Sequence, residues 1–306
     1  MQLDFSDLPV FSSVEEAARS ISPAHAAHIT RLPVAGGDIN ETSILLLEDG
    51  TKLFCKENRR FPLSFFQAEA AGLQALAIAD VLPVPTPLAL GASGRGSFLL
   101  MECLEAGRPG PDFWAELGEK LALLHRAECA RFTQQGKPYG FVRDNYIGAT
   151  RQENACSASW TAFFRDRRLI PQLQQARDYF SEAEKKRFLW LLDHLDRFLA
   201  EPSGPSLLHG DLWAGNVFCD RKGKPWLVDP AVYVGHRETD LAMTELFGGF
   251  HERFFASYRN VFPLDSGYRD RVPVYNLYHL LNHLNLFGGS YLGSVLQTLD
   301  ALVRIR

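Results

Sequence analysis

Two periodicities divide the chain. Over the first hundred residues, apolar and polar positions alternate in short runs broken by turns. Ile29 to Val34 reads as a strand, followed by the turn Ala35-Gly36-Gly37-Asp38. Ser43 to Leu47 and Lys52 to Lys56 flank Glu48-Asp49-Gly50, the signature of a hairpin. Phe66, Ala70, Leu73 and Leu76 then recur at helical spacing and predict a helix over 65–76. The Pro-rich stretch from Leu82 to Pro87 turns into two more strands, around Leu88-Ala89-Leu90 and Ser97 to Met101.

After Met101 the texture changes. Glu105-Ala106-Gly107-Arg108-Pro109-Gly110-Pro111 is a connector, and beyond it the apolar spacing is mostly helical. Helices are expected over Phe113 to His125, Trp160 to Tyr179, Ala183 to Leu199, Thr239 to Phe247 and Val274 to Phe287. The expected class is α+β, with a small β-rich lobe over 1–103 and a large helical lobe over 104–306. Ligand pockets favour the seam between such lobes.

Composition adds exclusions. With 306 residues, 46% hydrophobic and 22% charged, the chain can bury a substantial core. A net charge of -4 gives no reason to expect nucleic acid or an anionic membrane as partner. No apolar run suffices for a membrane helix, and Met1-Gln2-Leu3-Asp4-Phe5 lacks the character of a signal peptide. Cys55, Cys103, Cys129, Cys156 and Cys219 are scattered without Cys-x-x-Cys spacing, which predicts reduced thiols, a cytoplasmic setting and no zinc.

The chemistry concentrates in Leu208-His209-Gly210-Asp211-Leu212-Trp213-Ala214-Gly215-Asn216 and in Leu227-Val228-Asp229-Pro230. Protein kinases separate a catalytic Asp from a magnesium-binding Asn by the same four-residue gap, and place a second magnesium-binding Asp downstream. Phosphoryl transfer needs positioning and charge neutralisation more than covalent help. Asp211 suits the base that takes a hydroxyl proton. Asn216 and Asp229 offer the hard oxygens magnesium prefers. Either segment alone could be an ordinary turn; together, in order, they point to a kinase using ATP and magnesium.

The first lobe supplies matching parts. Lys56 ends a strand and Glu69 lies in the next helix, the arrangement in which a carboxylate orients a phosphate-binding Lys. Gly36 and Gly37 sit where a phosphate-covering loop belongs, since adjacent glycines let N–H groups approach phosphate oxygens. The backbone of Met101-Glu102-Cys103-Leu104 is placed to bond an adenine, with the side chains structural. Position 210 is Gly, where protein kinases carry the Arg of His-Arg-Asp, and only eight residues separate Asp229 from Glu238. That leaves little room for a regulatory loop or a peptide platform, and favours a small-molecule kinase.

These residues resemble the fructosamine kinase (ketosamine-3-kinase) family. The resemblance also rests on Gly36-Gly37-Asp38-Ile39-Asn40, Asn145-Tyr146-Ile147-Gly148, Gln152-Glu153-Asn154, Trp160, Phe163-Phe164, Arg168-Leu169 and Gln172. It continues through Asp229-Pro230-Ala231, Gly235-His236-Arg237-Glu238 and Asp240-Leu241-Ala242-Met243, and runs from about residue 30 to 295. Trp213 is its most discriminating element. The resemblance implies a bilobal protein-kinase-like fold and ATP- and magnesium-dependent phosphorylation of the 3-hydroxyl of a ketosamine. Bacterial-looking members favour ribulosamines or erythrulosamines over fructosamines, and the implied role is protein deglycation. The substrate is then a small ketosamine or a glycated lysine on a protein. No Cys lies in the Gly36-Gly37 loop, so the thiol switch some members carry there is not expected.

For the substrate, Asp211, Trp213, Asn145 and Tyr146 could offer hydrogen bonds, an anion and an apolar wall. Trp160 reads as core, His209 as a loop brace, and Glu238 and Asp240 as supports of the catalytic loop from a helix N-terminus. The alternative is a kinase of the same fold acting on another alcohol: an aminoglycoside, choline, thiamine or homoserine.

Overall fold

The computed structural model describes residues 8–23, 28–34, 39–94 and 96–304. The chain forms two compact units. One comprises residues 2–113 with 217–230, the other 114–216 with 231–306. The boundary expected at 103–104 thus falls at 113–114, and a later segment joins the first unit.

The first unit is built on a six-stranded sheet. Its strands are β1 (Val10–Phe11), β2 (Ile29–Val34), β3 (Glu41–Leu47), β4 (Lys52–Asn58), β5 (Pro87–Ser93) and β6 (Gly96–Glu102), in the order β1-β5-β6-β4-β3-β2. All neighbours are antiparallel except β1 with β5. Alternation fixes the two faces. Leu45, Leu47, Leu53 and Cys55 pack with Val14, Ala17 and Ala18 of α1 (Val14–Ile21), whose N-cap Ser13 accepts a bond from Glu16 N. Each fully buried Leu there contributes about 2 kcal/mol. Lys56, one residue beyond Cys55, points the other way and meets α2 (Leu63–Ala79).

Two short strands complete this unit: β10 (Val217–Cys219) and β11 (Pro225–Leu227) form an antiparallel hairpin. Main-chain bonds fasten it, from Gly107 N to Cys219 O (2.9 Å) and from Leu227 N to Pro83 O (3.0 Å). These attachments draw 217–230 into the first unit.

The second unit is mainly helical: α3 (Phe113–Arg126), α4 (Trp160–Phe164), α5 (Ile170–Gln175), α6 (Glu182–Asp193), α7 (Glu238–Leu246), α8 (Glu252–Val261), α9 (Tyr268–Phe287) and α10 (Leu292–Arg304). A π-helical turn, Arg165–Leu169, joins α4 to α5. Two small antiparallel ladders sit among the helices: β7 (Asn145–Ile147) with β8 (Thr150–Gln152), and β9 (Ser206–Leu208) with β12 (Tyr233–Gly235). Trp160 is fully buried, with its indole N–H donated to Tyr275 Oη at 3.2 Å, so it is a core residue. Among the described residues no helix is long and apolar enough to cross a membrane.

Candidate active site

In the first unit the sheet and hairpin bring three charges together. Lys56 leaves β4 buried, donating to Glu69 Oε1 of α2 at 2.5 Å and to Asp229 Oδ1 beyond β11. Burial would push the Lys56 ammonium down, but Asp229 and then Glu69 oppose it and hold it above its ordinary value. The lysine therefore stays charged. Glu69 is pushed up by burial and by the Asp229 carboxylate, with Lys56 opposing. The Asp229 side chain is 54% exposed, so half of this pair faces solvent.

Asp229 also adopts φ +54°, ahead of Pro230. An L-residue pays about 1–2 kcal/mol in this left-handed region, and proline restricts its predecessor further. Strain of this kind clusters at functional positions.

Nearby residues define the rest of this half. Asn58 Nδ2 donates to Ile39 O and Asn40 Oδ1, both at 2.9 Å, and so fixes the two residues at the start of the described segment before β3. Gly36 and Gly37 themselves lie outside the described residues. Met101 is buried in β6. The ladder with β4 ends at Leu53 opposite Glu102, so Cys103 and Leu104 continue beyond the paired strand. Glu102 Oε2 accepts from Thr86 N at 3.2 Å, a structural use of that side chain. Burial pushes the Cys103 thiol up, away from the thiolate.

In the second unit, β9 delivers His209-Gly210-Asp211. Asp240, buried in the first turn of α7, accepts from His209 N at 2.7 Å and Gly210 N at 2.9 Å. His125 Nε2 lies 3.2 Å from the same carboxylate, and its Nδ1 2.8 Å from Tyr258 Oη. Burial would raise Asp240, but His125 and the Gly210 N–H hold it below the usual carboxylate range. The loop is thus bolted from behind by a buried anion. Gly210 has φ +84°, and a Cβ there would lie 2.0 Å from Ala231 O. This excludes the Arg of His-Arg-Asp from this backbone.

Asp211 projects from that brace. Its N–H donates to His209 Nδ1 at 3.3 Å, the bracing role expected of His209. Asn216 Nδ2 donates to Asp211 O at 2.8 Å and to Asp211 Oδ2 at 3.3 Å. The oxygen of the same amide is the atom that could take a cation. The Trp213 ring is 42% exposed and lies over Gly215, where a Cβ would be 2.2 Å from the indole. Only glycine leaves room for the ring in that position.

Other expected contributors have different placements. Asn145 is buried; its amide nitrogen donates to Val232 O at 2.7 Å and its oxygen accepts from Gln152 and Asn154. Its polar groups are engaged inside the protein. Tyr146 is half-buried on β7. Glu238 does not brace the loop: it pairs with Arg271 through two bonds, at 2.6 and 2.7 Å. Among the described residues His236, Glu238 and Asp265 are close enough to share a metal. Burial and the flanking Arg271 and Arg237 press the His236 pKa down to about 3, and both arginines engage the carboxylates, so this group is an ion-pair network. No sequence motif marks His125 and Tyr258 as parts of the loop's support, and the motif Gln152-Glu153-Asn154 does not by itself show that Gln152 belongs to it.

The sheet with its Lys–Glu pair and the helical unit with its braced Asp loop are those of a protein-kinase-like phosphotransferase. The fold is shared with an aminoglycoside phosphotransferase solved with AMP-PNP and hygromycin B (15% identity, TM-score 0.60, 96% of this chain and 98% of that one). A putative fructosamine-3-kinase from Haemophilus somnus is more similar, at 28% identity and a TM-score of 0.83 over 95% of this chain and 96% of that one. A probable ketoamine kinase of Synechocystis is 41% identical over 90% of both chains. The chloroplastic protein-ribulosamine 3-kinase of Arabidopsis thaliana is 37% identical over 99% of this chain and 93% of its own. The fructosamine kinase profile matches residues 13–305. The chain belongs to the fructosamine kinase family.

Proposed function

We propose that this protein is an ATP-dependent ketosamine 3-kinase that uses magnesium and acts on ribulosamines and erythrulosamines, and on fructosamines, in the deglycation of proteins. The observation that carries the reading is Asp211 held by Asn216 on a loop whose backbone the buried Asp240 fixes. The names of the relatives support the ketosamine as acceptor.

In this reading Asp211 accepts the proton of the sugar hydroxyl as that oxygen bonds to the γ-phosphorus. The bond from phosphorus to the β-phosphate oxygen breaks, and ADP leaves. Lys56 holds a phosphate oxygen, and Glu69 keeps it oriented. Asn216 and Asp229 would each offer the kind of hard oxygen that suits magnesium, which when bound would neutralise triphosphate charge. Asp229, whose carboxylate is partly exposed, would be the member of the Lys56 pair able to offer an oxygen to that cation. Gly36 and Gly37 cover phosphates, and the backbone over Met101, Glu102, Cys103 and Leu104 receives the adenine. Trp213 and Tyr146 wall the sugar. The five thiols are free, which fits a reducing compartment, and we place the protein in the cytoplasm.

The experiment is a kinetic comparison of ribulose-lysine, erythrulose-lysine and fructose-lysine, free and on a glycated protein, with and without a chelator. Magnesium-dependent turnover of the ribulose or erythrulose compound is expected. Turnover of an aminoglycoside or choline in preference to every ketosamine would overturn the substrate assignment.

A further inference from the structure

Behind the catalytic loop lies a polar network that the reaction as described does not use. It begins at Arg168, whose side chain is fully buried on the π-helical turn Arg165–Leu169. Its guanidinium stacks 4.0 Å from the Tyr233 ring centre and 4.7 Å from that of Phe163. It donates to Glu153 O at 2.7 Å and to Asn154 Oδ1 at 2.7 Å. Asn154 donates on to Asn145 Oδ1 at 2.9 Å, and Asn145 to Val232 O at 2.7 Å.

A second branch runs through Gln152, also buried. Its amide nitrogen donates to Asn145 Oδ1 at 2.8 Å and to Ala231 O at 3.0 Å. Its oxygen accepts from Tyr278 Oη of α9 at 2.6 Å. This hydroxyl fixes which way the amide faces, because a flipped amide would set its oxygen against two acceptors.

Both branches end on Ala231 and Val232, the segment that holds the loop. Ala231 N donates to His209 O at 2.8 Å. Ala231 O sits so close to Gly210 that a Cβ could not fit. A shift of the 231–232 backbone therefore moves the backbone on either side of Gly210, and with it the direction of Asp211. Such a network is costly if half-satisfied and rigid when complete.

We propose that Gln152 and Tyr278, backed by Arg168, are positioning residues for Asp211: they lock the Ala231 carbonyl against Gly210 and so fix the aim of the base. The inference rests on Asp211 being that base. A displacement of about 1 Å at a reacting group can cost about a hundredfold in rate, so a device that prevents it has a measurable signature.

The test is single-turnover phosphoryl transfer to ribulose-lysine by Tyr278→Phe, Gln152→Leu and Arg168→Lys, with KM for ATP and thermal midpoint measured on each. Tyr278→Phe keeps the ring and removes the hydroxyl that bonds Gln152, so it decides the matter if Gln152→Leu does not fold. The expected result for Tyr278→Phe is a tenfold or larger fall in the transfer rate, with KM for ATP within about twofold of the parent. An unchanged transfer rate in folded Tyr278→Phe overturns the proposal. So does a loss that merely tracks the folded fraction. Asp211→Asn, run alongside, separates the two levels. If it retains transfer, the base assignment fails; if it loses transfer while Tyr278→Phe does not, only the positioning role fails.

Discussion

Asn216 holds Asp211 twice, through one side-chain nitrogen that donates to the main-chain oxygen at 2.8 Å and to the carboxylate at 3.3 Å. The amide is thus committed on its nitrogen side, and its oxygen is the group left to face a cation. Asn216→Ala removes both functions. Turnover should fall at least about a hundredfold, and the magnesium concentration for half-maximal rate should rise. A magnesium titration at saturating ketosamine checks this; an unchanged half-maximal concentration would remove Asn216 from the metal.

Lys56 and Glu69 form a buried pair with Asp229 on the solvent side. Removing one member leaves a buried charge uncompensated, which costs about 3 kcal/mol. Lys56→Met should therefore lower the thermal midpoint and raise KM for ATP. The double variant with Glu69→Gln should lose less stability than the sum of the singles. Chemical denaturation of the four proteins closes that cycle, and strict additivity would show that the pair is not coupled.

The Trp213 ring occupies the space a Gly215 side chain would need. Gly215→Ala should displace the ring, raising KM for the ketosamine about tenfold or more while KM for ATP holds, because hydrophobic walls discriminate by a few kcal/mol at most. Equal changes in the two constants would argue against Trp213 as a wall of the sugar site.

Two buried histidines make the fold acid-sensitive. Burial pushes His236 and His279 down to about 3, reinforced by Arg271 at His236 and by His283 at His279. A histidine depressed in the folded state binds its proton more readily when unfolded. Stability is therefore full above about pH 6.5 and is lost as pH falls from there toward 3, by about 1.4 kcal/mol per pH unit for each histidine. Neither nitrogen of His279 has a hydrogen-bond partner among the described residues. His279→Leu should shallow the decline of thermal midpoint between pH 6.5 and 5 without lowering it at pH 8; an unchanged slope would exclude His279 as a source.

The extent to which this architecture can be read from sequence depends on how local each feature is. Strands β3 and β4 announce themselves because one face of each is buried and the alternation is visible, whereas β6 is buried on both faces and reads as a continuous apolar run. Helix α1 does not: its buried positions are Val14, Ala17 and Ala18, in only eight residues. Helix α9, expected over Val274 to Phe287, starts at Tyr268, with Pro273 inside and Arg271 pinned to Glu238. Strands β7 to β12 have three residues each, too few to show a period. The return of 217–230 to the first unit depends on main-chain bonds to Pro83 and Gly107, which side-chain patterns do not encode.

The same logic divides the site. Asp211 and Asn216 lie in one contiguous motif, and Lys56 and Glu69 sit on adjacent elements, so their pairing was foreseeable. The contact of Lys56 with Asp229 joins residues 173 positions apart, and the support of Ala231 by Gln152 spans 79. A short polar residue in a motif, such as Asn145, is expected at a substrate or in a buried network alike, and its burial and bonds to Val232, Gln152 and Asn154 are not legible in the sequence.

The central claim is that Asp211 is the base that activates the 3-hydroxyl of a ketosamine. Phosphorus NMR of the product from ribulose-lysine, ATP and magnesium, with the parent protein and with Asp211→Asn, tests it most directly. The account predicts a single new phosphomonoester on carbon 3 with the parent, and its loss by at least about a thousandfold in rate with the variant. Phosphorylation at another hydroxyl, or comparable product from Asp211→Asn, would contradict it.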